Sequence, residues 1–201
     1  CVGAAAGICC ISRKLGCRAF IVIDEKNSAA TSLIEKLRSA SEYRDAIITP
    51  QDAIMRADRN TLLIIVDANR PEQVEDQSLL MACNRVAVID HHRRAASYIQ
   101  NAALTFLEPY ASSVCELTCE LVAETVEQSD ILKVEADALL SGIVMDTKNF
   151  TMRTGERTFD AAAFLNRAGA DTITVKTILQ NDMDDTVSRY KILQQVKRYR
   201  E

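Results

Sequence analysis

Three short runs dominated by valine and isoleucine each end at an aspartate: "RAFIVIDE" (18–25), "TLLIIVDAN" (61–69) and "RVAVIDHH" (85–92) reach Asp24, Asp67 and Asp90. Their apolar character is nearly continuous, as strands covered on both faces require. Helical pattern surrounds them. It opens the chain in "CVGAAAGICCISRKLG", runs over 27–39 and about 51–57, and returns in "SSVCELTCELVAETVEQ", where Ser113-x-x-Glu116 reads as a capping box. Further helices are expected over 135–145, 158–168 (closed by Gly169) and 184–200. This alternation predicts an α/β fold, an open and mostly parallel sheet with helices on both faces. In such a sheet the carboxyl ends of the strands form the edge where ligands bind, so the three aspartates could share one crevice. For Asp24 alone, a turn or helix cap is the simpler reading.

Composition narrows the function. A chain of 201 residues with 48% apolar content can bury one sizeable core. The 24 basic and 28 acidic residues leave a net charge of −4, which argues against duplex nucleic acid held on a broad basic surface. Five phenylalanines, five tyrosines and no tryptophan offer little stacking track for a single strand. Seven cysteines without a CxxC pair suit reduced, buried thiols better than a disulfide framework or a zinc site. No apolar stretch approaches the ~20 residues that cross a bilayer. At the amino terminus Arg13 and Lys14 follow the apolar run instead of preceding it, unlike a signal peptide. The opening without methionine, already helical, suggests a piece of something longer.

The richest chemistry lies in "VAVIDHHRR", which holds both histidines of the chain. Adjacent histidines after a strand point in different directions, so one can ligate a metal while the other faces a substrate. An acid beside them can fix the tautomer. Two exposed loop histidines are the plainer alternative for the motif taken by itself. Asp146 adds weight: in "GIVMDTKNF" an apolar helix gives way to a polar turn, and a carboxylate buried there needs a cation. Mixed carboxylate and imidazole ligands suit manganese, iron or zinc, and two such ions bridged by a carboxylate make a site for phosphate-ester hydrolysis.

"VDANRP", "VIDHHRR", "LEPYASSVCEL" and "GIVMDTKNFTMRTGERTFDAA" resemble the DHH phosphoesterase superfamily, and within it the DHH domain of the GdpP-type cyclic-di-AMP phosphodiesterases. The resemblance covers nearly the whole chain and implies a Rossmann-like domain over 1–183, with 184–201 a helical connector towards a DHH-associated domain. It implies two Mn²⁺ ions, with Asp67 bridging them and His91 and Asp146 ligating one. Asp90 would orient His91. His92 and Arg93 would face the scissile phosphate of a cyclic dinucleotide opened to pApA. Ser112 and Ser113 sit where a helix N-terminus favours an anion, with plain capping the simpler role. Arg153, Thr154 and Arg157 are candidates for the nucleotide phosphates. The resemblance further implies a homodimeric parent anchored in the membrane, with this domain cytoplasmic and not itself touching the bilayer. The family's His-x-x-x-Asp-x-Asp motif is absent; Cys1 matches the position just after its final aspartate, so the fragment is expected to hold at most half a metal site and to be inactive alone. An oligoribonuclease or exonuclease, a pyrophosphatase, and a non-catalytic nucleotide-binding domain are the competing readings.

Overall fold

The computed structural model describes residues 1–24, 28, 30–180 and 187. Its elements run α1 (Val2–Lys14), β1 (Ile21–Val22), α2 (Thr31–Arg38), β2 (Ile47–Ile48), α3 (Pro50–Arg56), β3 (Leu62–Val66), α4 (Ser78–Ala82), β4 (Arg85–Asp90), β5 (Leu104–Leu107), α5 (Val114–Thr125), α6 (Lys133–Asp146) and α7 (Glu156–Arg167). Short 3₁₀ turns occupy Pro71–Gln73 and Gln128–Asp130, and residues 172–180 are again helical. The helix expected over 184–200 and the 184–201 connector lie outside the described residues.

Every strand pairing described is parallel. β1 pairs with β2, and β3, β4 and β5 form a second sheet in that order. β4 is its middle strand, and from Val86 to Asp90 each residue is buried, which explains the unbroken apolar run. Val86 and Val88 face a cluster with Ile65, Ala68 and Ile99, while Ile89 joins the larger core of α1, α5, α6 and α7. A third cluster, with Ile21, Leu33, Leu37, Tyr43 and Ile47, fills the space under β1 and β2. The α/β class read from the sequence is the fold observed.

Two strands escape the sequence pattern. Ile47–Ile48 is too short to show a period, and Leu104–Leu107 is an edge strand with two exposed residues. Of the run expected over 18–25, Ile21–Val22 forms the strand, paired with Ile47–Ile48, and the Ile23 N–H still reaches the Ile48 carbonyl at 3.1 Å; residue 25 lies outside the described residues. The following helix begins at Thr31, and residue 27, where the sequence pattern starts it, lies outside the described residues. Of the seven cysteines, Cys9, Cys10, Cys83, Cys115 and Cys119 are buried, while Cys1 and Cys17 are exposed; all are free thiols.

Glycine allows α1, α5 and α6 to close on one another. A Cβ on Gly3 would run into the Ala138 carbonyl oxygen of α6, and one on Gly142 into the Cys115 sulfur of α5. The pattern of small residues in "CVGAAAG" is therefore a packing requirement. Alanine for glycine inside a helix ordinarily stabilises by about 0.5–1 kcal/mol. Here overpacking outweighs that gain, and Gly3→Ala should cost roughly 1–3 kcal/mol in urea denaturation; an unchanged or raised midpoint would mean that α1 and α6 are not in close contact.

Candidate metal centre

The β3–β4 register builds the site. Val66 pairs with Ile89, so the two strands end level, and the Asp67 N–H donates to the Ile89 carbonyl at 3.0 Å. Asp67 then turns into the left-handed region at φ 65°, a conformation that costs a non-glycine residue roughly 1 kcal/mol. Asp146 arrives from the other side as the last residue of α6. Lys148, Asn149 and Phe150 follow with φ of 48°, 57° and 61°, and the Asn149 N–H closes back on the Val144 carbonyl at 2.8 Å. The helix is thereby stopped just past its carboxylate.

Alternation along the chain separates the two histidines. His91 is buried and His92 has a side chain 55% exposed. Their rings lie 4.5 Å apart at 57°. His91 Nδ1 faces the Ala111 carbonyl at 3.4 Å, which leaves Nε2 for the site. That Nε2 stands 3.5 Å from Asp67 Oδ1 and 3.9 Å from Asp146 Oδ2. Both of those oxygens are buried, and neither has a hydrogen-bond partner. Donors around a common first-row ion at ~2.1 Å would stand roughly 3.0–3.5 Å apart; the separation of His91 Nε2 from Asp67 Oδ1 lies at the edge of that range, and Asp146 Oδ2 stands farther off at 3.9 Å. Among the described residues, the group whose donor atoms all lie within 4.8 Å of one another is Asp67, His91 and His92; Asp146 is tied to it through His91.

Electrostatics point the same way. Burial pushes the Asp146 carboxyl above its ordinary range, and the nearby Asp67 charge adds to this. Asp146 also sits at the negative end of the α6 dipole. For Asp67, burial opposes ionisation, but His91 and His92 hold its carboxyl below the ordinary value. The Asp67 carboxylate holds the His91 imidazolium above its usual value, against the effect of burial.

Other candidate residues take different places. Asp90, expected beside His91, instead has its Oδ1 2.8 Å from His92 Nδ1, because the buried end of β4 presents it to the half-exposed ring. Arg93 is exposed beyond this pair. Ser113 caps α5 by accepting from the Glu116 N–H at 3.0 Å. The reciprocal half of the box is displaced, since the Glu116 carboxylate accepts from the Ser112 hydroxyl and, at 2.7 Å, from Thr158. Both serine hydroxyls are thus engaged in holding α5. Arg157 makes a two-pronged pair with Glu120 at 2.7 and 2.8 Å, which raises its pKa. Arg153, in left-handed backbone, is exposed, and Thr154 is half-buried.

Sequence reasoning missed Asn69. It is 3% exposed, donates to Asp90 Oδ2 at 2.6 Å and accepts from the Ala95 N–H at 3.3 Å. Its place in "VDANRP", two residues past a strand-end aspartate, was the available signal.

The raised Asp146 pKa means that folding disfavours its ionised form, so the ion-free protein is weakened above the ordinary carboxylate range. In EDTA at pH 7.5, Asp146→Asn should raise stability by roughly 1 kcal/mol, and Mn²⁺ should no longer raise the melting temperature. Loss of stability in EDTA together with an undiminished Mn²⁺ response would contradict the site.

The DHH family, N-terminal domain, matches residues 1–143. Over 100% of its length the chain is 39% identical to the cyclic-di-AMP phosphodiesterase GdpP of Bacillus subtilis (strain 168), covering 31% of that protein. It is 37% identical over 98% of its length to the cyclic-di-AMP phosphodiesterase PdeA of Listeria monocytogenes serotype 1/2a (strain 10403S), covering 30% of it. The chain therefore spans about a third of the length of these curated relatives. In fold it is similar to an exopolyphosphatase-related protein from Bacteroides fragilis, with TM-score 0.70, 19% identity, and coverage of 90% of this chain and 52% of that one. A putative family II inorganic pyrophosphatase from Methanococcus jannaschii superposes with TM-score 0.58 at 19% identity, over 90% of this chain and 55% of that one. A strand-end aspartate, a DHH tripeptide after a buried strand and a family match across most of the chain agree: this protein belongs to the DHH family.

Proposed function

We propose that this domain is the phosphoesterase module of a longer enzyme that hydrolyses cyclic-di-AMP to pApA with Mn²⁺. The observation that carries the chemistry is the pair of buried, unpartnered carboxylate oxygens of Asp67 and Asp146 on either side of His91 Nε2. Whole-length similarity to two proteins named cyclic-di-AMP phosphodiesterases supports the choice of substrate. The acidic net charge of −4 also suits a compact cyclic substrate better than a long strand held by a basic track.

In this reading Asp67, His91 and Asp146 would hold a divalent ion. A divalent ion bound there supplies Lewis acidity towards the phosphoryl oxygens. His92 and Arg93 sit at the scissile phosphate, where the guanidinium stabilises negative charge as it develops. Asp90 holds His92 at 2.8 Å, so the ring keeps one orientation at the exposed edge. Arg153 and Thr154 contact the nucleotide phosphates. For Arg157 that role would require exchanging Glu120 for phosphate.

Four residues beyond His91 and His92 stand Ala95 and Ala96, so residues 1–201 contain no His-x-x-x-Asp-x-Asp motif. We expect these residues alone to bind Mn²⁺ weakly and to show no measurable hydrolysis. The parent is proposed to be a membrane-anchored homodimer that carries this domain on the cytoplasmic side.

Initial rates of the longer protein on cyclic-di-AMP, pyrophosphate and an oligonucleotide several residues long, at equal low concentration, test the assignment. Cyclic-di-AMP should turn over fastest, and Asp67→Ala should lower its rate at least about a thousandfold while leaving the protein folded. Faster turnover of either rival substrate would overturn the substrate reading, and near-normal turnover by Asp67→Ala would overturn the metal reading.

A further inference from the structure

We propose that Asn69 is a positioning residue: through Asp90 it locks His92 with its Nδ1 proton on the Asp90 carboxylate, reserving the ring for substrate instead of the ion. The consequence for turnover rests on the phosphoesterase reading above; the locking itself does not.

The side chain of Asn69 is spent on the loop that follows β4. Its Nδ2 donates to Asp90 Oδ2 at 2.6 Å and reaches the Arg93 carbonyl at 3.4 Å, and its Oδ1 accepts the Ala95 N–H at 3.3 Å. The Asn69 main-chain carbonyl accepts the Ile99 N–H at 2.9 Å. One residue from the end of β3 thus fastens the stretch from Asp90 to Ile99. Asparagine suits the place because a single planar group supplies a donor to a carboxylate and an acceptor to an N–H. Aspartate would set a second negative charge against Asp90, and leucine would fill the volume with neither function.

Asp90 is fully buried. Its Oδ2 is taken by Asn69, and its Oδ1 takes His92 Nδ1 at 2.8 Å and the His92 N–H at 3.2 Å. No lysine or arginine pairs with it among the described residues. Hydrogen bonds therefore fix its plane, and that plane fixes the imidazole. When the ring is neutral, the arrangement places the proton on Nδ1 and the lone pair on Nε2. The lock matters because His92 Nδ1 is also 3.9 Å from Asp67 Oδ1. A ring released from Asp90 could offer Nδ1 to the ion of Asp67 and His91. Held by Asp90, it cannot.

The test uses residues 1–201, whose two histidines give two imidazole spin systems. Long-range ¹⁵N–¹H correlation spectra are recorded at a pH where both rings are neutral. In the native protein, His92 should show protonated Nδ1 and unprotonated Nε2. In Asn69→Leu it should pass to a mixture of tautomers, with cooperative unfolding retained. In the longer enzyme, kcat should fall about 10–100-fold with KM changed by less than about threefold. Should the leucine variant not fold, Asn69→Ala gives the same readout. An unchanged His92 tautomer in a folded variant would overturn the proposal. So would a loss of activity carried wholly by KM. A tautomer shift in a protein that hydrolyses no cyclic dinucleotide would leave the lock standing and reject only the substrate reading.

Discussion

Two half-buried carboxylates, each with one buried oxygen that no hydrogen bond reaches and both within 4 Å of the His91 Nε2, form the constraint around which this fold is arranged. Like charges in a low-dielectric setting repel, and each unpaired buried oxygen adds its own desolvation cost. The arrangement persists because other contacts overdetermine it. The β3–β4 register brings Asp67 beside the end of β4, and the glycine contacts of α1, α5 and α6 carry Asp146 up to the same edge. Left-handed backbone at Asp67 and again just past Asp146 fixes both where a relaxed chain would turn away. Close helix packing thus supports buried polar atoms that lack partners, which is where stability is commonly traded for function.

Burial of acids is not in itself the signal. Glu135 is fully buried, yet it receives the Tyr43 hydroxyl and the Arg13 guanidinium at 2.7 Å each and the Leu132 N–H at 2.9 Å. Asp137, equally buried, takes Lys133 and the Asp171 N–H at 2.8 Å. Glu116 is stitched to Ser112 and Thr158. These acids join helices to one another and are complete. Among the described residues, Asp67 and Asp146 are the acids whose buried oxygens lack such partners, and a cation is the partner their geometry admits.

The sequence makes visible what depends on periodicity and on chemical type. The unbroken apolar run of β4 follows from burial on both faces, and the aspartate after β3 and the histidines after β4 stand out because nothing apolar explains them. Partner choice is not visible, since it is set by tertiary placement. Asp90 pairs with His92 rather than His91, Glu116 reaches Ser112 rather than its own N-cap residue, and Arg157 turns to Glu120. Ile47–Ile48 is a strand only because β1 lies beside it. Asn69 has the same character: a single polar residue after a strand looks like a turn former until its buried contacts are seen.

The direct measurement is a crystal of this chain soaked in Mn²⁺ and recorded at the manganese absorption edge. An anomalous peak should appear within about 2.0–2.4 Å of Asp67 Oδ1, His91 Nε2 and Asp146 Oδ2, with His92 Nδ1 still on Asp90. No peak at this position at saturating Mn²⁺, or a peak ligated by His92 Nδ1 in place of His91, would contradict that ligand set.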